Sequence, residues 1–161
     1  MAVDIFLQIP KVAGESTDSK FAGAIDVVSW SWGLTQAGSA GSGTGSGTGK
    51  VNFQDLTLTK YVDKSTPALM AACCAGTAYG PVVLSMRKAG NTPLVYMVIT
   101  LGNVTISAHG HATSSSDDRQ TEQVGLHFGT VKMEYTPQNA DGSGGATITT
   151  TWNVPGNSSA I

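Results

Sequence analysis

Charge is scarce in this chain. Only 12% of its 161 residues are Asp, Glu, Lys or Arg, about half the usual share. The nine Lys and Arg residues form no cluster and the net charge is −2. The basic footprint that sequence-independent nucleic-acid binding requires is therefore missing. So few charges either leave wide neutral areas open to protein contact or simply reflect a preference for Ser and Thr. Long apolar runs are lacking too: none approaches the ~20 residues of a membrane helix, so membrane insertion is not expected. The N-terminus carries Asp4 and no basic stretch, which does not read as a secretory signal. Cysteine is limited to the adjacent pair Cys73 and Cys74. A vicinal pair staples nothing distant, and without CxxC spacing a structural zinc site is not expected. Two small thiols near a helix end are the plainer reading.

What the chain does have is strand-like alternation around one long Gly/Ser/Thr run, Gly38 to Gly49. Such a run has no apolar side chain larger than alanine with which to build a core, and a compact domain rarely keeps one without a use for it. Ordering on contact with a partner is the use that fits. Before it, Ile25–Gly33 reads as a strand with Val28, Trp30 and Trp32 on one face and Val27, Ser29 and Ser31 on the other. The Trp face is assigned to the core, leaving Ser29 and Ser31 to face something polar. After the run, Val51–Tyr61 continues as strand, with Phe53 out of phase with Leu56 and Leu58, which predicts a bulge near Gln54–Asp55.

One helix is expected, over residues 66–75. Ser65 or Thr66 caps it, Pro67 suits its first turn and Gly76 stops it. Residues 2–10 alternate as a strand, and 11–24 form a polar connection. Residues 81–107 read as a long hairpin turning at Gly90-Asn91. Further strands cover 124–128, 131–135 and 146–153, with Gly129 placed to bend the chain. The expected core includes Trp30, Trp32, Leu56, Leu58, Leu69, Leu126 and Phe128.

Motifs for chemistry are weak. The glycine run fails the phosphate-loop spacing: Thr44 stands where the first glycine is needed, and Val51 follows Lys50 where Ser or Thr is required. Glycines at every second residue do not fit a dinucleotide fingerprint, and no helix follows to hold a phosphate. His109 and His111, two apart on a strand, share a face and could begin a metal site with His127 or Asp117 as third ligand. Polar residues on a solvent face are the plainer reading of the pair. Asp118, Arg119 and Glu122 read as a polar cluster suited to ion pairing within or between subunits. No GxSxG elbow surrounds any serine.

Several segments occur in a telling order: MAVDIFLQI at the start, GES at Gly14–Ser16, SWSWG at Ser29–Gly33, KVNFQDLTLTKYVDKSTPALM from Lys50, RKAG at Arg87–Gly90, DRxTE at Asp118–Glu122 and YTPQxADG at Tyr135–Gly142. Together they resemble the haemolysin-coregulated protein (Hcp) family, the tube protein of bacterial type VI secretion, along nearly the whole chain. The resemblance implies a mainly β fold: a β-barrel of two antiparallel sheets with one short flanking α-helix, like that of phage tail-tube proteins. It implies a single domain over 1–161, with 36–50 as an extended loop and 155–161 as a flexible tail. It implies no cofactor, no metal and no enzymatic activity. Homo-hexameric rings would stack into the inner tube and carry effectors in the lumen, with the spike protein and the sheath as partners. The protein would sit in the bacterial cytoplasm before firing and outside the cell afterwards. Some family members carry a fused C-terminal toxin domain; here the chain ends soon after Trp152, and a plain tube protein is expected. Ser29 and Ser31 are then the candidate lumen residues, unless their face lies on the ring exterior. Gln36, Ser42, Thr44, Ser46, Thr48 and Lys50 are the candidate contacts to an adjacent subunit or ring. The competing reading is a monomeric β-barrel module that binds a ligand or a protein.

Overall fold

The computed structural model describes residues 2–38 and 49–161. Its elements are β1 (Val3–Gln8), β2 (Ile25–Ser31), β3 (Leu34–Thr35), β4 (Asn52–Phe53), β5 (Leu56–Tyr61), α1 (Thr66–Ala75), β6 (Ala78–Tyr79), β7 (Val82–Lys88), β8 (Leu94–Gly102), β9 (Val104–Ala112), β10 (Thr121–His127), β11 (Thr130–Tyr135) and β12 (Ile148–Asn153). Ten strands form one antiparallel sheet in the order β12-β11-β8-β7-β1-β2-β5-β10-β9-β6, and β3 and β4 form a separate small ribbon. The mainly β architecture with one short helix is as the sequence implies.

The sheet is not a closed barrel, which corrects the expected architecture. Among the described residues no ladder joins β12 to β6. β6 is only two residues long and runs into Gly80-Pro81, and a proline cannot donate to a further ladder bond. Instead the sheet folds over on itself. Its two halves meet at β1 and β2, which pair only through Phe6 with Asp26 and Leu7 with Ile25. Inward side chains of both halves, among them Leu7, Ile25, Leu56, Leu84, Ile99, Leu101, Val124 and Leu126, share one core cluster.

The chain crosses between halves at two corners. The expected long hairpin over 81–107 holds for β7 and β8, but β9 does not continue β8 in the same half. Asn103, with φ 51°, turns the chain so that β9 pairs with β10 and β6. The second corner lies at Gly129, between β10 and β11. Its N–H donates to Gly102 O at 2.9 Å and its carbonyl accepts from Val154 N at 2.8 Å, so the two corners are bonded to each other.

Local phase differs from simple alternation in two strands. In β2 the register shifts between Val27 and Ser29, so Val28 is a bulge residue and is exposed while Val27 is buried. This reverses the expected sides of the two valines, because one extra residue flips the following side chains. Trp30 and Trp32 are half-buried and pack against the core cluster rather than lying within it. Leu56, Leu58, Leu69, Leu126 and Phe128 are buried. At Gln54–Asp55 there is a break between β4 and β5, not a bulge. Gln54 N donates to Gly33 O, and Gln54 O accepts the Trp32 indole N–H at 3.0 Å.

Helix α1 spans Thr66–Ala75, with Pro67 in its first turn and Gly76 in the left-handed conformation at φ 64° behind it. Ser65 precedes it, and its side chain makes no capping bond to the helix backbone. Leu69 and Ala72 are its buried residues, and the helix lies on β9.

Residues 11–24 fold back over β1 and are held in two ways. Gly14 N donates to Gly23 O, and Ser16 N donates to Ala24 O. A Cβ on Gly14 would sit 2.2 Å from Ala24 O, so the segment closes only with glycine there. Next to it, Phe21 stacks on Phe6 at 4.3 Å between ring centroids. The Arg87 guanidinium lies near both rings and binds Asp18 through two bonds, at 2.5 and 3.0 Å, and Asp4 at 3.0 Å. The paired Arg87 guanidinium, helped by the Lys20 and Phe21 N–H groups, holds the Asp18 carboxyl at about 2, well below its ordinary value.

Two outcomes follow. Gly14→Ala should lower stability by about 1–3 kcal/mol, read as a shift of the urea midpoint. Because Asp18 binds its proton less readily in the folded state, the unfolded chain takes up more protons on acidification. The Asp18 contribution is therefore complete above about pH 5 and lost as the pH falls towards about 2. Asp18→Asn should flatten that acid decline in a pH series of denaturation curves.

Candidate functional site

The middle of the outer face of the half-sheet β2-β5-β10-β9 carries uncharged and mostly small side chains, with Tyr61 and His127 beyond them on the same face. Directly opposed residues on antiparallel strands share a face, so the registers define rows across four strands. One row runs Ser29, Thr59, Gln123, Gly110; the next runs Ser31, Thr57, Gly125, Ala108. Ser29 and Ser31 are exposed and lie in this field. A second bulge makes the field possible. The register between β9 and β10 shifts at Gly125–Leu126 and leaves Ser107 as the extra residue. A Cβ on Gly125 would come 2.9 Å from Ser107 Oγ and 3.2 Å from Ala108 Cβ, so the bulge needs glycine opposite it.

The same bulge turns His109 and His111 inward. His109 then opposes Val124, and His111 opposes Glu122. This overturns the expectation of a solvent-facing pair: the His109 side chain is 5% exposed, although that of His111 is half exposed. His127 is not brought to them; its Nδ1 meets Asp55 at 2.8 Å. Asp117 is not brought to them either; it accepts from Ser114 N in a turn.

Beneath the helix start lies a charge cluster that sequence reasoning assigned only in part. Glu122 was expected to ion-pair, but its partner is Lys60, with both side chains fully buried. Lys60 Nζ also donates to Asp63 Oδ1 at 2.9 Å and to Tyr61 O at 2.8 Å. Thr66 Oγ1 donates to Glu122 Oε1 at 2.9 Å, and His109 Nε2 lies 3.0 Å from Oε2. Asp63 in turn accepts the Ser65 N–H and hydroxyl. Burial pushes the Glu122 carboxyl up, but the bonds from Lys60, His109 and Thr66 outweigh it and hold it below its ordinary value. Arg119, expected in this cluster, stands over the Tyr61 ring at 3.9 Å instead. The missed signal was phase: Lys60 follows Leu56 and Leu58 at the same two-residue step, which places it inward.

The two ends of the segment 36–50 meet at the ribbon. Leu34 opposes Phe53 and Thr35 opposes Asn52, and Gly49 N donates to Ala37 O at 3.1 Å. Gln36 and Lys50 are exposed at its base. Ser42, Thr44, Ser46 and Thr48 lie outside the described residues. Beside the ribbon, an apolar groove of about 380 Å³ is lined by Trp32, Leu34, Val51, Phe53, Met133 and Trp152, among others.

A folded-over antiparallel sheet with one short helix, an uncharged field and an apolar groove characterise this mainly β protein. Comparison with known proteins agrees. The family model described as "Type VI secretion system effector, Hcp" matches residues 6–135. Protein hcp1 of Pseudomonas aeruginosa is 48% identical over 156 residues, 96% of each chain. A solved type six secretion system protein superposes with a TM-score of 0.92 at 28% identity, covering 98% of this chain and 99% of that one. Hcp1 from Salmonella typhimurium does so with a TM-score of 0.81 at 34% identity, covering 98% of both. The chain belongs to the Hcp family of the type VI secretion system.

The buried cluster predicts a large stability effect. Lys60→Met leaves Glu122 buried without its main counter-charge and should cost about 3–5 kcal/mol, measured by chemical denaturation.

Proposed function

We propose that this chain is the ring-forming subunit of a type VI secretion tube. Six copies close into a ring, rings stack into the inner tube, and effectors travel in the lumen. The observation that carries this reading is the uncharged field centred on Ser29, Ser31, Thr57 and Thr59. A charged wall would bind some passengers tightly and repel others. Small neutral side chains offer many weak contacts to varied cargo, and we assign this field to the lumen.

Ring closure needs head-to-tail contacts between unlike surfaces. The apolar groove beside β3 and β4, and the open edge of β12, are suited to such contacts. Residues 36–50, with Gln36 and Lys50 at their base, are assigned to contact with the adjacent subunit or the next ring. The spike and the sheath would be the further partners. In this reading the protein is held in the bacterial cytoplasm and leaves the cell when the tube is fired. The competing idea, a small ligand held inside a barrel, has less support, because the interior positions are occupied by Leu, Val, Ile and Met side chains.

Light scattering with negative-stain imaging tests the assembly. A mass six times that of the chain with annular particles is expected; a monomer that stays monomeric at high concentration and with the spike protein present would count against it. Ser31→Gln tests the lumen. It should leave the rings intact and abolish retention of a co-expressed effector, whereas undiminished retention would remove the field from the lumen.

A further inference from the structure

We propose that His109, His111 and Glu122 form a binding site for a divalent transition metal ion of the zinc type. Among the described residues, they are brought together with their ligand atoms all within 4.8 Å of one another. Both imidazoles converge on one carboxylate oxygen. Glu122 Oε2 lies 3.0 Å from His109 Nε2 and 3.7 Å from His111 Nδ1. Ligand atoms around a tetrahedral ion with bonds of about 2.0–2.1 Å stand about 3.3–3.4 Å apart. The two measured separations straddle that value. The histidine rings meet edge to face at 4.7 Å between centroids, and rotation of half-exposed His111 can close the remaining edge.

The carboxylate is divided so that the only side chain bonded to this oxygen is His109, whose place on it an ion would take. Lys60 and Thr66 both donate to Oε1, so Oε2 has only imidazoles beside it. A neutral His109 ligating through Nε2 carries its proton on Nδ1. Charge favours a cation too. The ammonium of Lys60 is shared with Asp63, so Lys60, Asp63 and Glu122 together leave one net negative charge beside the two rings. Half-exposed His111 leaves a path for solvent to supply a fourth ligand. Two imidazoles and one carboxylate suit zinc, copper, nickel or cobalt rather than calcium or magnesium.

The backbone supplies a further reason. Without the extra residue at Ser107, Ala108 and Gly110 would face inward and the histidines outward. The bulge therefore aims the pair at Glu122, a use to which bulges near functional sites are put. An ion there would tie β9 to β10 beside the start of α1 and stabilise the folded chain by mass action.

The test is equilibrium dialysis of the untagged protein against zinc, with thermal melting in parallel. One saturable equivalent per chain and a raised melting midpoint are expected. Cobalt should give the visible absorption of a low-coordinate site. His111→Gln, at a half-exposed position, should leave the metal-free melt unchanged and weaken binding at least about tenfold. His127→Gln, on the other face of β10, should bind as the parent does. Absence of saturable binding, unchanged affinity in His111→Gln, or loss of binding in His127→Gln would each overturn the proposal. None of these readouts depends on ring formation.

Discussion

The buried ion pair between Lys60 and Glu122 is the constraint around which this half of the molecule is arranged. Two charges out of water are tolerated only when every remaining donor and acceptor is used. Here Lys60 has three acceptors, the Glu122 carboxylate, Asp63 and the Tyr61 carbonyl. Glu122 draws in Thr66 and His109. Those partners come from β5, the turn before α1, the first residue of α1, and β9. Satisfying one carboxylate thus sets where the helix begins and which way β9 faces. A buried pair of this kind adds little net stability over an apolar substitute. Its stronger effect is to make mispaired alternatives costly, because a register slip in β5 or β10 would strand a charge in the core.

Bulges adapt a regular sheet to these demands. Residue Val28 re-phases β2, so that Val27 meets the core and Trp30 packs beside it. Residue Ser107 re-phases β9, which brings the histidines inward and sets Ala108 and Gly110 on the outer field. One inserted residue thereby serves both faces at once. The corners at Asn103 and Gly129 let the two halves share a single core without an intervening loop, and the mutual hydrogen bond keeps the corners together.

Much of this was legible from residue pattern. Pro67 and Gly76 mark the helix ends because each favours a local conformation that needs no distant partner. Alternation located most strands for the same reason. What escaped were features set by partners far along the chain. Lys60 and Glu122 are 62 residues apart, and an inward charge reads as a solvent charge until its partner is known. The step from Leu101 to Val104 is three residues and breaks the two-residue phase, but apolar residues continue on both sides of it, so the turn at Asn103 was read as unbroken strand. The Val28 bulge shows in IDVVSWSWG only as adjacent valines where the alternation changes phase, and which of the two would face the core was fixed by the register with β5. Closure failed as an expectation because strand count and patterning do not specify whether the last edges meet.

The scarcity of charge on the outer field has a consequence for the medium in which it works. Salt weakens contacts by screening the fields of fixed charges, over a distance of about 8 Å at physiological ionic strength. Rows built of Ser, Thr, Gln, Gly and Ala present no such field to screen. A partner resting on them would be held by packing and neutral hydrogen bonds, whose strength changes little between a crowded, ion-rich compartment and a dilute one. The surface is in that sense indifferent to its surroundings, and on the proposed reading a move from one solution to another would not by itself loosen what it held.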